Sequence, residues 1–113
     1  MNVYDKAYEL ARAIRESTEA REVKEIRSKI EADPETKRML DDFREKQMNL
    51  QKQMLSGQQP DQQEMEKLDK LYEVVSLNPL IKKLFEAERR FGILIEDVQK
   101  ILADPMKDIL EGK

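Results

Sequence analysis

The sequence of 113 residues contains no cysteine, no histidine and no tryptophan. Without cysteine the chain can form no disulfide bond, no thiolate metal site and no cysteine nucleophile. Without histidine it lacks the most common general base and the most common transition-metal ligand of proteins. We therefore expect no cofactor and no bound metal, and we expect that the protein is not an enzyme.

Glycine, proline and aromatic residues are scarce, with three Gly, four Pro and 5% aromatics. Charged residues make up 40% of the chain, and the formal net charge of -3 provides no positive field that would attract nucleic acid. Nucleic acid is therefore not an expected partner. The remaining composition is rich in Glu, Lys, Leu, Met and Gln, which favour helices over strands. It predicts an all-α fold.

The beginning of the chain does not resemble a signal peptide. An apolar signal segment would not contain the charges that occur here at Asp5, Glu9, Arg12, Arg15 and Glu16. No uninterrupted apolar run approaches the roughly 20 residues of a membrane-spanning helix. We expect a cytoplasmic protein with no membrane partner.

Three pairs of residues mark helix boundaries: Asp33-Pro34, Asn78-Pro79 and Asp104-Pro105. Proline suits the first position of a helix because its missing N–H would have no partner there. The residue before proline is disfavoured in the α region, so each pair should end one helix and start the next. We predict a single helical domain over residues 1–113, with helices at about 3–16, 19–32, 34–55, 62–76, 79–103 and 105–110.

The segment 79–103 is the most apolar, and its side chains fall on two adjacent seams, which exceed the apolar stripe of about 100° expected for a surface helix. One seam can pack within the chain, while the other needs a further surface. The predicted fold has long antiparallel helices with shorter flanking helices, in a bundle completed by a homodimer or a larger oligomer. The alternative is that the other helices of the same chain cover the second seam. The predicted oligomer interface consists of Leu84, Glu88, Phe91, Leu94, Ile95, Val98, Ile101 and Leu102.

Glu88 is the polar residue that interrupts this apolar seam. It could be a buried acid or a metal ligand, and Glu88 with nearby acids could form a carboxylate metal enzyme. It could instead be a residue at the edge of the seam, or form an ion pair with Arg44 or Arg89 that fixes the register of the helices. We favour these two structural roles, because no histidine completes the Glu-x-x-His motif of carboxylate-bridged metal sites in helical bundles.

Several segments resemble the YheA branch of the YlbF/YmcA-like family of small helical bacterial proteins. The segments that carry the resemblance are Lys37-Arg38-Met39-Leu40, Phe43-Arg44, the Gln-rich stretch 47–59, Leu84-Phe85-Glu86-Ala87-Glu88-Arg89-Arg90-Phe91, Leu94-Ile95 and Pro105-Met106-Lys107-Asp108-Ile109-Leu110. The resemblance covers nearly the whole chain and implies an all-helical, oligomeric protein.

Two functional hypotheses follow, the first from the two apolar seams of segment 79–103 without catalytic machinery and the second from the resemblance. The first is a non-enzymatic helical interaction or regulatory protein that acts as a homo-oligomer, with another protein as a further partner. The alternative is an accessory factor in RNA processing or ribonuclease regulation, because the relatives YlbF and YmcA join a third protein in a complex linked to RNA processing, competence, biofilm formation and sporulation. Some relatives carry cysteines linked to iron–sulfur clusters, but this chain has no cysteine to hold one.

Overall fold

The structure is a computed structural model, and it describes residues 2–112. These residues form five helices and no β-strand, which confirms the predicted all-α fold. The helices are α1 (Val3–Arg15), α2 (Thr18–Glu31), α3 (Pro34–Leu55), α4 (Gln62–Val75) and α5 (Pro79–Glu111). None of the described helices is long and apolar enough to cross a membrane.

Polar side chains cap the starts of the helices, where the first backbone N–H groups have no partner within the helix. Asn2 Oδ1 accepts a hydrogen bond from the Tyr4 N–H at 2.8 Å. Ser17 Oγ accepts one from the Ala20 N–H at 3.1 Å. At the other end of a helix, Gly57 has a φ of +87°, the left-handed conformation that terminates α3 after Leu55.

The boundary predicted at Asp104-Pro105 is wrong, because α5 continues through Pro105 to Glu111. The proline ring removes one backbone hydrogen bond, the one that the carbonyl of Ile101 would accept. Residues 104–112 are all exposed. Water can therefore satisfy that carbonyl, and the helix tolerates the proline near its end.

Contacts divide the chain into two compact units, and α2 and α5 contribute residues to both. The expectation of a single domain stays a prediction. The first unit comprises residues 26–84 and contains α3 and α4, which pack against each other. The ring centroids of Phe43 and Tyr72 lie 5.9 Å apart across this pair. Large buried side chains from every helix of this unit form its core: Ile30, Phe43, Val75, Ile81 and Leu84.

A polar junction ties the starts of α3 and α5 together within the same unit. Thr36 is 3% exposed, and its hydroxyl donates to Asp33 Oδ2 at 2.8 Å. Asn78 Nδ2 donates to the Thr36 oxygen at 3.1 Å, while Asn78 Oδ1 accepts from the N–H groups of Leu80 and Ile81. The caps of both helices therefore meet at a single buried hydroxyl.

The second unit comprises the described residues 2–25 and 85–112. Its only buried residues among those described are two alanines, Ala20 and Ala87. Every large apolar side chain of this unit is at least partly exposed. This part of the molecule therefore lacks the core of large side chains that the first unit possesses.

Candidate interaction surface

The eight residues of the predicted interface lie along α5 in very different environments. Leu84 is only 1% exposed because its own chain covers it, so including it in the interface was wrong. Ile101 and Leu102 are 68% and 49% exposed. The other five are half-buried, namely Glu88, Phe91, Leu94, Ile95 and Val98.

One side of α5 carries no charged side chain between Phe91 and Gly112. At 3.6 residues per turn, the neutral residues of this segment other than Ile93 lie within an arc of roughly 200° centred on Leu102. The seven charged residues occupy the remaining arc: Glu96, Asp97, Lys100, Asp104, Lys107, Asp108 and Glu111. We call the large apolar residues of the neutral arc the uncharged face of α5; they are Phe91, Leu94, Ile95, Val98, Ile101, Leu102, Met106, Ile109 and Leu110.

Exposure rises along this uncharged face toward the end of the helix. Phe91 through Val98 are half-buried, whereas Met106 is 55% exposed and Ile109 and Leu110 are 80% and 82% exposed. Among the described residues, other parts of the chain therefore bury the uncharged face of α5 only as far as Val98. The last three of these residues were absent from the predicted interface, although their helical spacing from Leu102 continues the apolar pattern.

Helix α1 belongs to the same unit and also has no buried residue. Its apolar side chains Leu10 and Ile14 are half-buried, but Val3, Tyr4 and Tyr8 are 80%, 74% and 73% exposed. Three large apolar side chains near one end of a helix are thus open to solvent. These three residues were absent from the interface predicted from the sequence.

Arg90 and Glu22 join α5 to α2 inside this unit. Both Nε and Nη2 of Arg90 donate to Glu22 Oε2, at 3.2 and 3.1 Å. The two side chains are 52% and 41% exposed, so solvent screens the pair and its contribution to stability is small. With Thr18, Glu19 and Ile93 the pair lines an open groove of about 500 Å³.

A smaller groove of about 310 Å³ lies between α3 and α4. Its polar lining includes Lys46, Glu64 and Lys67, and all three residues are exposed. No group of three or more Asp or Glu residues in the described chain is arranged to hold a metal ion. The exposed apolar surface is therefore the feature of the molecule that most needs a functional explanation.

Comparison with known proteins identifies the relatives of this chain. The family model for control of competence regulator ComK, YlbF/YmcA, matches residues 3–107. The chain belongs to the YlbF/YmcA family. The resemblance drawn from the sequence is confirmed, and the YheA branch fits the naming of the individual relatives as UPF0342 proteins.

Two bacterial members of the YlbF/YmcA family illustrate the similarity. A UPF0342 protein of Alkalihalophilus pseudofirmus is 43% identical over 108 residues, which cover 96% of this chain and 92% of that protein. One from Caldicellulosiruptor bescii is 42% identical over 113 residues, which cover 98% and 95%. The alignments therefore extend over nearly the full length of both relatives.

A solved structure shares the fold. It is described as a protein of unknown function (DUF964) from Bacillus stearothermophilus, and it superposes with a TM-score of 0.87 over 95% of this chain and 94% of that chain. At 24% sequence identity the likeness concerns the fold alone. The helical arrangement thus recurs in a chain of quite different sequence.

Proposed function

We propose that this protein is a non-enzymatic regulatory protein that acts by binding other protein chains, and that it works as a homo-oligomer. The observation that carries the proposal is the missing core of the unit formed by residues 2–25 and 85–112. Among its described residues the only buried ones are two alanines, while large apolar side chains of α1 and α5 are exposed to water. Exposed apolar surfaces of this extent are typical of sites that bind another protein.

The chemistry of the side chains supports a binding role over a catalytic one. The sequence has neither histidine nor cysteine, so an acid–base or nucleophilic mechanism would have to use less common groups. Three neighbouring acidic residues of α3, Asp41, Asp42 and Glu45, are exposed to solvent.

The family supports a regulatory role. Its description concerns the control of a competence regulator, a task that requires contact with other proteins. A helical protein with an unfilled apolar surface fits such a task, because a partner helix can complete its core. This support is independent of the burial argument, since it depends on relatives and not on the exposure of particular side chains.

Light scattering coupled to size exclusion tests the proposal directly. We expect a mass that is a multiple of 13.4 kDa at micromolar concentration. The midpoint of unfolding should also rise with protein concentration, because assembly stabilises the folded chain by mass action. A well-folded monomer whose unfolding midpoint does not depend on concentration would overturn the homo-oligomer.

A further inference from the structure

We infer that the second unit, residues 2–25 and 85–112, opens by local unfolding while the first unit, residues 26–84, stays folded. This opening goes beyond the proposed function and does not require a homo-oligomer. Its consequence for binding does rest on the proposed function, because α1 and most of α5 belong to the unit that opens.

The first unit is held together by large apolar side chains that are removed from water. Five of them are at most 3% exposed, and they come from all four helices that contribute to this unit: Ile30, Phe43, Val75, Ile81 and Leu84. The buried hydroxyl of Thr36 also joins the caps of α3 and α5. Opening any one of these helices would expose the shared core, so the first unit should unfold only as a whole.

The second unit has no comparable core among its described residues. Ala20 and Ala87 are buried, but an alanine side chain removes little apolar area from water. The larger apolar side chains of α1 and α5 are half-buried at best, and Val3, Tyr4 and Ile109 are at least 74% exposed. Unfolding this unit therefore exposes much less additional apolar surface than unfolding the first.

Local interactions compensate for the missing core only in part. Helix α1 has 13 residues, a length at which an isolated helix is marginally stable in water. The ion pair between Arg90 and Glu22 is exposed to solvent and contributes little. Pro105 removes one backbone hydrogen bond from the last part of α5. Few interactions thus oppose the opening of the second unit.

Local opening would control when the exposed surfaces of α1 and α5 can be bound. These surfaces exist only while the second unit is helical, because unfolding disperses the side chains that form them. A partner that binds them selects the closed form, and its apparent affinity falls in proportion to the fraction of closed chains. Any substitution that closes the second unit should then strengthen binding without touching the partner.

Hydrogen exchange of the full-length protein, followed by NMR at single amides, measures the opening of each unit. Rates are compared with those of unstructured peptides of the same sequence. Amides of residues 7–15 and 94–104 should be protected roughly tenfold less, or lower still, than those of residues 40–50 and 66–75. Equal or greater protection in the second unit would overturn the inference.

Ile81→Val distinguishes separate opening from cooperative unfolding of the whole chain. Ile81 is 0% exposed in the first unit, so losing one methylene should lower the protection of residues 26–84 roughly fivefold. The second unit should exchange as in the wild type, because the first unit is folded both before and after the local opening. If amides of both units lose the same protection, the chain opens as one unit and the inference is wrong.

Ile93→Val is the matched control. It makes the same substitution in the same helix, at a side chain that is 49% exposed in the second unit. Protection in either unit should change by about twofold or less. A loss in the first unit as large as that of Ile81→Val would mean that the core does not set its stability, which would also overturn the inference.

Hydrogen exchange and light scattering distinguish failure of local opening from failure of the proposed homo-oligomer. A monomer whose second unit exchanges faster than its first removes the homo-oligomer and retains local opening. An oligomer whose two units are equally protected retains the homo-oligomer and removes local opening. A monomer with equal protection in both units removes both.

Discussion

The side-chain amide of Asn78 donates a hydrogen bond to the hydroxyl of Thr36 across 3.1 Å, although the two residues are 42 positions apart. The same hydroxyl donates to Asp33, the cap of α3, while Asn78 caps α5. Thr36 is buried, so its hydroxyl has no water to replace these partners. This junction aligns the starts of two helices.

Replacing Thr36 by valine tests the junction, because valine keeps the shape and removes the hydroxyl. Both Asp33 and Asn78, which are half-buried, would lose a hydrogen-bond partner, and we expect the free energy of unfolding to fall by about 1–3 kcal/mol. Urea denaturation monitored by circular dichroism measures the change. Thr18→Val is the matched control at an exposed site, where a change within about 0.5 kcal/mol is expected. Equal changes in the free energy of unfolding at the two sites would mean that the junction contributes nothing to stability.

The positions of the two caps could be predicted from the sequence because they depend on neighbouring residues alone. A capping residue followed by proline reports a helix start at Asp33-Pro34 and at Asn78-Pro79. The hydrogen bond between Thr36 and Asn78 could not be predicted in the same way. It depends on which helix ends meet in space, and no local pattern contains that information.

The same local rule failed at Asp104-Pro105, and the failure affected the predicted site. A proline in a helix interior is unfavourable, but the penalty is smaller near an exposed end where water replaces the lost partner. Ending the helix at Ala103 removed Met106, Ile109 and Leu110 from the predicted interface. These residues belong to the most exposed apolar part of α5.

The spacing of hydrophobic residues also does not indicate how much of a helix is buried by the rest of the chain. Leu84 and Leu102 are five turns apart and lie on the same line along α5. One is 1% exposed and the other 49%. Periodicity identified the face of the helix, whereas the extent of its burial depends on helices from elsewhere in the chain.

Substitution by alanine is expected to have opposite effects on stability at the two glycines Gly92 and Gly57. Gly92 lies inside α5, and an added methyl group would meet no atom within 4 Å. Gly92→Ala should therefore raise the free energy of unfolding by up to about 1 kcal/mol, because glycine is a poor helix former. Gly57 has a φ of +87°, which alanine adopts only under strain. Gly57→Ala should lower stability by about 1 kcal/mol.

Thermal unfolding of the two alanine variants measures both effects. A change of 1 kcal/mol corresponds to a shift in Tm of about 4 °C for a chain of this size. The Tm should rise for Gly92→Ala and fall for Gly57→Ala. A fall for Gly92→Ala would indicate that something outside the described chain contacts the helix at that point.

The ion pair between Lys37 and Glu31 predicts a dependence of stability on pH. Lys37 Nζ lies 3.0 Å from Glu31 Oε2. The hydrogen bond to Glu31, and then its negative charge, raises the pKa of Lys37 above its usual value. A lysine whose pKa is higher in the folded chain than in the unfolded chain stabilises the fold at lower pH. That contribution is lost as pH rises through the folded pKa.

Comparing wild type with Lys37→Met at several pH values tests this sign. The variant should unfold at a slightly lower urea concentration at neutral pH, and the difference should vanish as pH rises through the raised pKa of Lys37 in the wild type. The effect should be small because both side chains are largely exposed. Lys24→Met, at an exposed lysine of α2, is the control. A difference that stays constant across this range would contradict the proposed ion pair.

Phe91 provides the most direct test of the half-buried part of α5. Phe91→Asp places a charge where the chain covers an aromatic ring, and we expect a loss of about 3 kcal/mol with partial unfolding or dissociation. Gln99→Asp adds the same charge at an exposed position of the same helix and should change stability by about 0.5 kcal/mol or less. Urea denaturation and light scattering at equal protein concentration compare the two. If Phe91→Asp retains both the unfolding midpoint and the mass of the wild type, the covering of α5 at this residue contributes neither to folding nor to assembly.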